Sequence, residues 1–142
     1  MKISREHILQ QCNDLRKDTL IETLSIEFVD YGEDSITARM PVNHRVHQPD
    51  GVLHGGASVA LAETVGSMAA ILFTDSAHSA VRGIEISANH LKSIREGFVY
   101  ATATPIHKGR TTQLWQIRIV DETDRLISLV KLTTISLPKS AQ

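Results

Sequence analysis

One cysteine, one tryptophan and 4% aromatic residues overall are what this 142-residue chain has least of. With Cys12 alone, no disulfide can form within the chain, so the fold must rest on a packed core. A reducing, cytoplasmic compartment is the matching expectation. Charge of one sign is missing as well. Fifteen Lys and Arg against 16 Asp and Glu leave a net charge of -1, and so no long-range field to attract nucleic acid or an anionic membrane. The N-terminal run MKISREHILQQCNDLRKD is charged throughout and lacks the apolar core of a signal peptide. The longest apolar stretch, 57–73, is interrupted by Ser58, Glu63, Thr64 and Ser67. It also falls short of the ~20 apolar residues that a spanning helix needs. Neither a nucleic acid nor a membrane is therefore expected as a partner. No repeat, low-complexity tract or linker divides the chain, and its length suits one domain with a real core.

What is present is a regular alternation of patterns. Residues 5–17 read as a short polar helix with Ser4 as N-cap and a modest apolar stripe of Ile8, Leu9, Cys12 and Leu15, suited to a packing lid. A brief helical turn over 19–23 completes an N-terminal segment, 1–23, ahead of a core over 24–136. Strands are expected at 24–30 and 35–40, joined as a hairpin by Tyr31-Gly32-Glu33-Asp34. A long loop, PVNHRVHQPDGVLHGG, then precedes one long helix over 56–74, and loops of this length in compact domains commonly carry function. Four further strands are expected at 83–91, 97–107, 112–121 and 125–136. In the third, Trp115, Ile117 and Ile119 share one face and Gln116 and Arg118 the other, the period of a sheet covered on one side. The long helix is apolar nearly all round, with Val59, Ala60, Leu61, Val65, Met68, Ala69, Ile71, Leu72 and Phe73 spread over every side. Such a helix must be buried, and the sheet is its only available cover. The fold class is α+β, an antiparallel sheet wrapped around one central helix.

Glu63 stands near the middle of that helix. A buried carboxylate is disfavoured in its charged form unless donors compensate, which is the setting of catalytic acids and bases. Ser67, four residues on, shares its helix face and could hydrogen-bond the carboxylate or its water. Gly55 and Gly56 follow His54 at the helix start, where free N–H groups carry partial positive charge and glycine admits a ligand closely. That is the equipment for polarising a carbonyl and holding an oxyanion. From Gly55 to Glu63 is roughly 12 Å along a helix, whereas a reacting pair needs about 3 Å. If both groups serve one site, a second, antiparallel copy of the helix must supply one of them, so a homo-oligomer is expected. His44, His47 and His54 lack the spacing of a zinc site on a fixed element, and their expected role is to orient backbone or substrate. Ser58 and Ser67 lie in no G-x-S-x-G elbow.

The run from Gln48-Pro49-Asp50-Gly51 through His54-Gly55-Gly56-Ala57-Ser58 to Glu63 and Ser67 resembles the signature of hotdog-fold thioesterases of the phenylacetate-degradation group. Within that group it is similar to the branch of 4-hydroxybenzoyl-CoA and 1,4-dihydroxy-2-naphthoyl-CoA thioesterases. The likeness continues in Gly83-Ile84-Glu85-Ile86-Ser87-Ala88-Asn89-His90-Leu91 and Trp115-Gln116-Ile117 and spans roughly 24–136. It implies hydrolysis of an acyl-CoA thioester with an aromatic acyl group. Glu63 would be the catalytic carboxylate, as nucleophile or as general base, and Gly55 the backbone N–H on the carbonyl. Gln48 and His54 of the opposing subunit would contact the thioester and the lytic water, with Ser67 beside the carboxylate and His90 near the acyl pocket. Lys92 and Ser93, with Lys108-Gly109-Arg110, would bind the nucleotide and pantetheine parts of coenzyme A, which is part of the substrate; no separate cofactor and no metal is implied. A tetramer is the family's expected assembly. Asp50 departs from the aromatic or apolar residue common at its position, which bears on acyl preference. Lys92 replaces a common arginine and so forgoes a bidentate phosphate contact. The alternatives are a hydratase or dehydratase on the same fold, faintly suggested by His47 with Glu63, and a non-catalytic acyl-CoA sensor, which Glu63 disfavours.

Overall fold

The computed structural model describes residues 2–139. Two short helices, α1 (Arg5–Asp14) and α2 (Leu20–Thr23), lead into the hairpin β1 (Glu27–Tyr31) and β2 (Ile36–Val42). The long loop, holding one 3-10 turn at His44–Val46, precedes α3 (Gly55–Phe73), and β3 (Ser79–His90), β4 (Gly97–Lys108), β5 (Thr112–Val120) and β6 (Leu126–Pro138) follow. All strand pairs are antiparallel in the order β1-β2-β4-β5-β6-β3, which puts β1 and β3 at the two edges. α3 touches β2, β3, β4, β5 and β6, so the sheet curls about it in the hotdog arrangement.

The strict alternation of burial along β2 and most of β5 and β6 turns one face of the sheet toward the helix. Trp115, Ile117, Val130 and Leu132 meet Leu61, Val65 and Ala69 there in one core. Small residues set the helix's approach. A Cβ on Gly66 would lie 2.6 Å from Leu132 Cδ2, and Ala101 and Ala103 on β4 are fully buried. Buried polar groups are chained rather than isolated. The Trp115 indole N–H donates to Thr134 Oγ1 (3.0 Å), the Thr134 hydroxyl donates to Gln113 Oε1 (2.8 Å), and Gln113 Nε2 donates to the Gly109 carbonyl (3.0 Å). α3 has the length and apolarity of a membrane span, with a mean hydropathy of 1.5, but here that apolarity fills the core beneath the sheet.

Several expectations need correction. α1 ends at Asp14 rather than residue 17, because the Asn13 side chain bonds both the N–H and the carbonyl of Phe28 and the chain then turns through Asp18 at φ 60°. β1 starts at Glu27 rather than Leu24, since Leu24 closes α2 and Ser25 adopts φ 57°. β3 begins at Ser79, four residues before the position its apolar pattern suggests, because pairing with the end of β6 (Ser79 opposite Pro138) extends it. The larger correction concerns α3. Its sheet does not bury it all round: Gly56, Glu63 and Ile71 are exposed, and Val59, Ala60 and Ser67 are only half-buried. One stripe of the helix is left open.

Candidate active site

The loop before α3 is held closed by its own backbone. His47 and Leu53 form a bridge, the Gln48 N–H donates to the Val52 carbonyl (2.8 Å), and the Gly51 N–H donates to the Gln48 carbonyl (2.9 Å). Gly51 takes φ 76°, which glycine adopts without strain. The segment after β3 clamps this loop from outside. The Leu53 N–H donates to the Ile94 carbonyl (2.8 Å), His47 Nε2 lies 2.8 Å from the Arg95 carbonyl, and Arg95 Nη1 donates to the Asp50 carbonyl (3.2 Å). Gln48 Oε1 accepts the Asp50 N–H, which fixes the amide and leaves the Gln48 NH2 as the end free to donate elsewhere.

His54 is the N-cap of α3. Its Nδ1 accepts the Gly56 N–H at 2.7 Å, an imidazole in the place of the usual Ser or Asp oxygen. While it caps, its proton sits on Nε2. The Gly55 N–H, by contrast, meets no acceptor among the described residues. Gly55 lines a recess of about 290 Å³ together with Gln48, Ser58, His90, Lys92, Ser93 and Ser128. Glycine at 55 lets the His90 ring lie against the turn, because a Cβ there would lie 2.8 Å from His90 Nε2 and push the ring aside. His90 Nδ1 is in turn 2.8 Å from the hydroxyl of Ser128, which is 1% exposed. Five of the residues singled out in the sequence thus meet here: Gln48, Gly55, His90, Lys92 and Ser93.

Glu63 does not join them. It stands on the open stripe of α3, exposed in this chain, with its Oε1 3.1 Å from where a Cβ on Gly83 of edge strand β3 would be. The burial expected of this carboxylate is therefore not supplied by its own protomer. The anticipated hydrogen bond from Ser67 to Glu63 is not formed among the described residues; Ser67 lies half-buried one turn further along. Lys108, Gly109 and Arg110 are separated from Lys92 and Ser93. They line a recess of about 470 Å³ with Phe73, Thr74 and Asp75 at the other end of α3, about 27 Å away at 1.5 Å per residue. There Lys108 Nζ is paired with Asp34 Oδ1 (3.0 Å), and Gly109 makes the tight turn that Thr112 O, 2.6 Å from a would-be Cβ, demands.

Three residues of this region escaped the sequence reading. Ser58, assessed only as a nucleophile, is 2% exposed and turns a hydroxyl with no hydrogen bond among the described residues toward the Gly55 recess. Ser128 was hidden in the alternation of β6. Gly83 carried a usable signal, since a glycine inside a strand pattern often marks close approach.

The fold and the recess define the class: a helix-on-sheet protein that places an unpaired helix N-terminus at a pocket and displays a carboxylate on an open helix face. Residues 50–128 match the Thioesterase superfamily. The chain is 44% identical over 133 residues to the 1,4-dihydroxy-2-naphthoyl-CoA hydrolase of Escherichia coli, covering 94% of this chain and 97% of that one. It is 45% identical over 130 residues to the proofreading thioesterase EntH of Cronobacter turicensis, covering 92% and 94%. A mutant thioesterase PA1618 from Pseudomonas aeruginosa superposes with a TM-score of 0.90 at 43% identity, over 92% of this chain and 94% of that one. The chain belongs to the thioesterase superfamily, and it is a thioester hydrolase.

Proposed function

We propose that this chain hydrolyses an acyl-CoA thioester in a site shared between two copies, in which Gly55 of one faces Glu63 of the other. The observation that carries this reading is the separation just described. Gly55 lines the recess while Glu63 lies roughly 12 Å further along the same helix, beside edge strand β3. The surface that holds Glu63 is itself unpartnered. The open stripe of α3 runs beside β3, whose outer backbone edge pairs with no strand among the described residues and whose Ile84 is 56% exposed. An isologous pair with antiparallel α3 helices and adjoining β3 edges covers both features and brings each Glu63 toward the partner's glycine turn. The same pairing carries one copy's Lys108–Arg110 turn toward the other's Lys92 and Ser93. A cationic rim fit for the phosphates of coenzyme A results.

The chemistry follows from the groups. The Gly55 N–H, at the positive end of α3, polarises the thioester carbonyl and holds the oxyanion. The Gln48 NH2 is a further donor in the same recess, whereas His54 caps the helix and lines a separate hollow with Leu24, Arg45 and Ala60. Glu63 either attacks the carbonyl carbon, giving an anhydride that water opens, or takes a proton from water as it attacks. By both routes one water is consumed, the C–S bond breaks, and the free acid and the coenzyme A thiol leave. The acyl group is read as aromatic from the motif that runs through Gln48–Ser67, with Asp50 tuning which aromatic group is preferred. Cytoplasmic work as a dimer, or as a dimer of dimers, suits the lone Cys12 and the open stripe.

Thiol release from a panel of aryl-CoA and alkyl-CoA esters tests the reading. Glu63→Gln should lower kcat/KM on the best ester by at least ~100-fold with the assembly intact. Near-normal turnover of that variant, or an enoyl-CoA absorbance change with no thiol released, would overturn it.

A further inference from the structure

The proposed site contains a histidine whose proton position is dictated by its neighbour on the adjoining strand. Ser128 is 1% exposed and sits on β6 directly opposite His90 on β3. Its hydroxyl carries one proton that must go to an acceptor, and the only hydrogen-bond partner it has among the described residues is His90 Nδ1, at 2.8 Å. Were Nδ1 to carry the imidazole proton instead, Ser128 Oγ would accept it, and the Ser128 O–H would lose the only acceptor it has among the described residues. A buried donor without an acceptor is the costlier arrangement. We infer that Ser128 is a positioning residue that locks His90 in the Nε2–H tautomer and so makes His90 a hydrogen-bond donor beside the Gly55 N–H.

The other end of the ring shows what that donor serves. His90 Nε2 is the atom nearest to any Cβ placed on Gly55, at 2.8 Å, with His90 Cδ2 next at 3.0 Å. Nε2 therefore borders the Gly55 backbone, and both His90 and Ser128 line the recess with it. A carbonyl oxygen held by the Gly55 N–H lies within reach of the Nε2–H as well. In the opposite tautomer Nε2 would present a lone pair to the developing oxyanion and repel it. The orientation is thus a choice between attraction and repulsion at one atom, and Ser128 makes that choice from the sheet. This inference rests on the reading of Gly55 as the carbonyl site.

The test is a pair of measurements on the full-length protein. Two-bond 1H–15N correlations of the imidazole rings, with the His90 signals assigned by their loss in His90→Gln, should show His90 protonated on Nε2 and bare on Nδ1. Ser128→Ala should introduce the Nδ1–H form, and Ser128→Thr should restore the original pattern. On the fastest ester of the panel, Ser128→Ala should lower kcat about tenfold with KM within about twofold, short of the ~100-fold that loss of an oxyanion donor costs. Ser128→Thr should recover most of the rate. An Nδ1-protonated His90 in the wild type, or a Ser128→Ala variant with unchanged tautomer and rate, overturns the inference. These outcomes are separate from the test of Glu63. The tautomer is read without substrate, so it stands or falls even if no ester on the panel is cleaved.

Discussion

α3 has two faces made of nearly the same kind of residue, and they meet different fates. The face toward the sheet, with Leu61, Ala62, Val65, Gly66, Ala69 and Ala70, is buried against β4, β5 and β6. The other face, through Gly56, Ala60, Glu63, Ser67 and Ile71, is left exposed or half-buried by the described residues, with only the flank of β3 beside Glu63. Composition alone would bury both. Geometry decides, because a six-stranded sheet curling about a 19-residue helix reaches only part of its circumference. The uncovered part is where the only acidic residue of the helix stands. One face holds the fold together, and on the proposed reading the other meets a second copy of the chain.

The comparison predicts contrasting losses. On the packed face, Leu61→Ala should cost about 2–5 kcal/mol of stability, read from urea melts, because Leu61 is fully buried among residues too constrained to close the cavity. If the melt moves by less than ~1 kcal/mol, the packed face is looser than its burial indicates. On the open face, Glu63→Gln should leave the melt almost unchanged while removing the ~100-fold of turnover already given, an effect near 2.7 kcal/mol on the transition state alone.

Two smaller substitutions sharpen the contrast. Gly83→Ala would put a methyl 3.1 Å from Glu63 Oε1 and 3.4 Å from Leu132 Cδ1, so the carboxylate must shift by a few tenths of an ångström. A fall of about tenfold in kcat with little change in stability is expected, since a misplaced reacting group is costly. Wild-type kcat would show that the Glu63 position is not held by β3. Ile71 is 42% exposed in the protomer. Ile71→Ser should therefore cost the single chain under about 0.5 kcal/mol, yet weaken self-association by an order of magnitude or more in sedimentation equilibrium. An unchanged dimer would remove the open stripe from the interface.

Much of this was legible in the sequence because period and composition agreed. The alternation of Trp115, Ile117 and Ile119 marked β5's inward face, and the apolar residues spread over every side of 57–73 identified the central helix. The glycine turn with Gln48, His90 at the end of β3, and Lys92 and Ser93 just after it came together as one recess. The burial of Glu63 was misjudged because an all-round apolar helix gives no sign of which side its own chain will cover. Lys108–Arg110 was grouped with Lys92 on motif alone, while strand order places the β4–β5 turn at the far end of α3. Ser128 could not be singled out, since only the register of β6 against β3 sets it opposite His90. Local pattern reveals elements; partners across a sheet depend on topology.

The smallest effect is expected from a residue on neither face. Asp121 opens the β5–β6 turn, where its carboxylate accepts the backbone N–H groups of Arg125 and Thr123 (both 2.9 Å) and pairs with Arg125 Nε at 3.0 Å. These donors, the Arg125 N–H first, hold its pKa down to about 2 from an ordinary 3.8. A carboxyl whose pKa is lower in the folded state binds fewer protons there, so its stabilisation is full above about pH 4 and is lost as the pH falls through 2. Asp121→Asn should therefore melt slightly below the wild type at pH 7, and the difference should shrink to nothing near pH 2. Because Arg125 also donates to the Ser93 carbonyl (3.1 Å), the turn touches the recess from behind but reaches neither face of α3. Turnover of Asp121→Asn at pH 7 should stay within about twofold of wild type. A larger loss would mean that the recess depends on this turn for its shape, and the division of labour would then lie between the two ends of the sheet rather than the two faces of the helix.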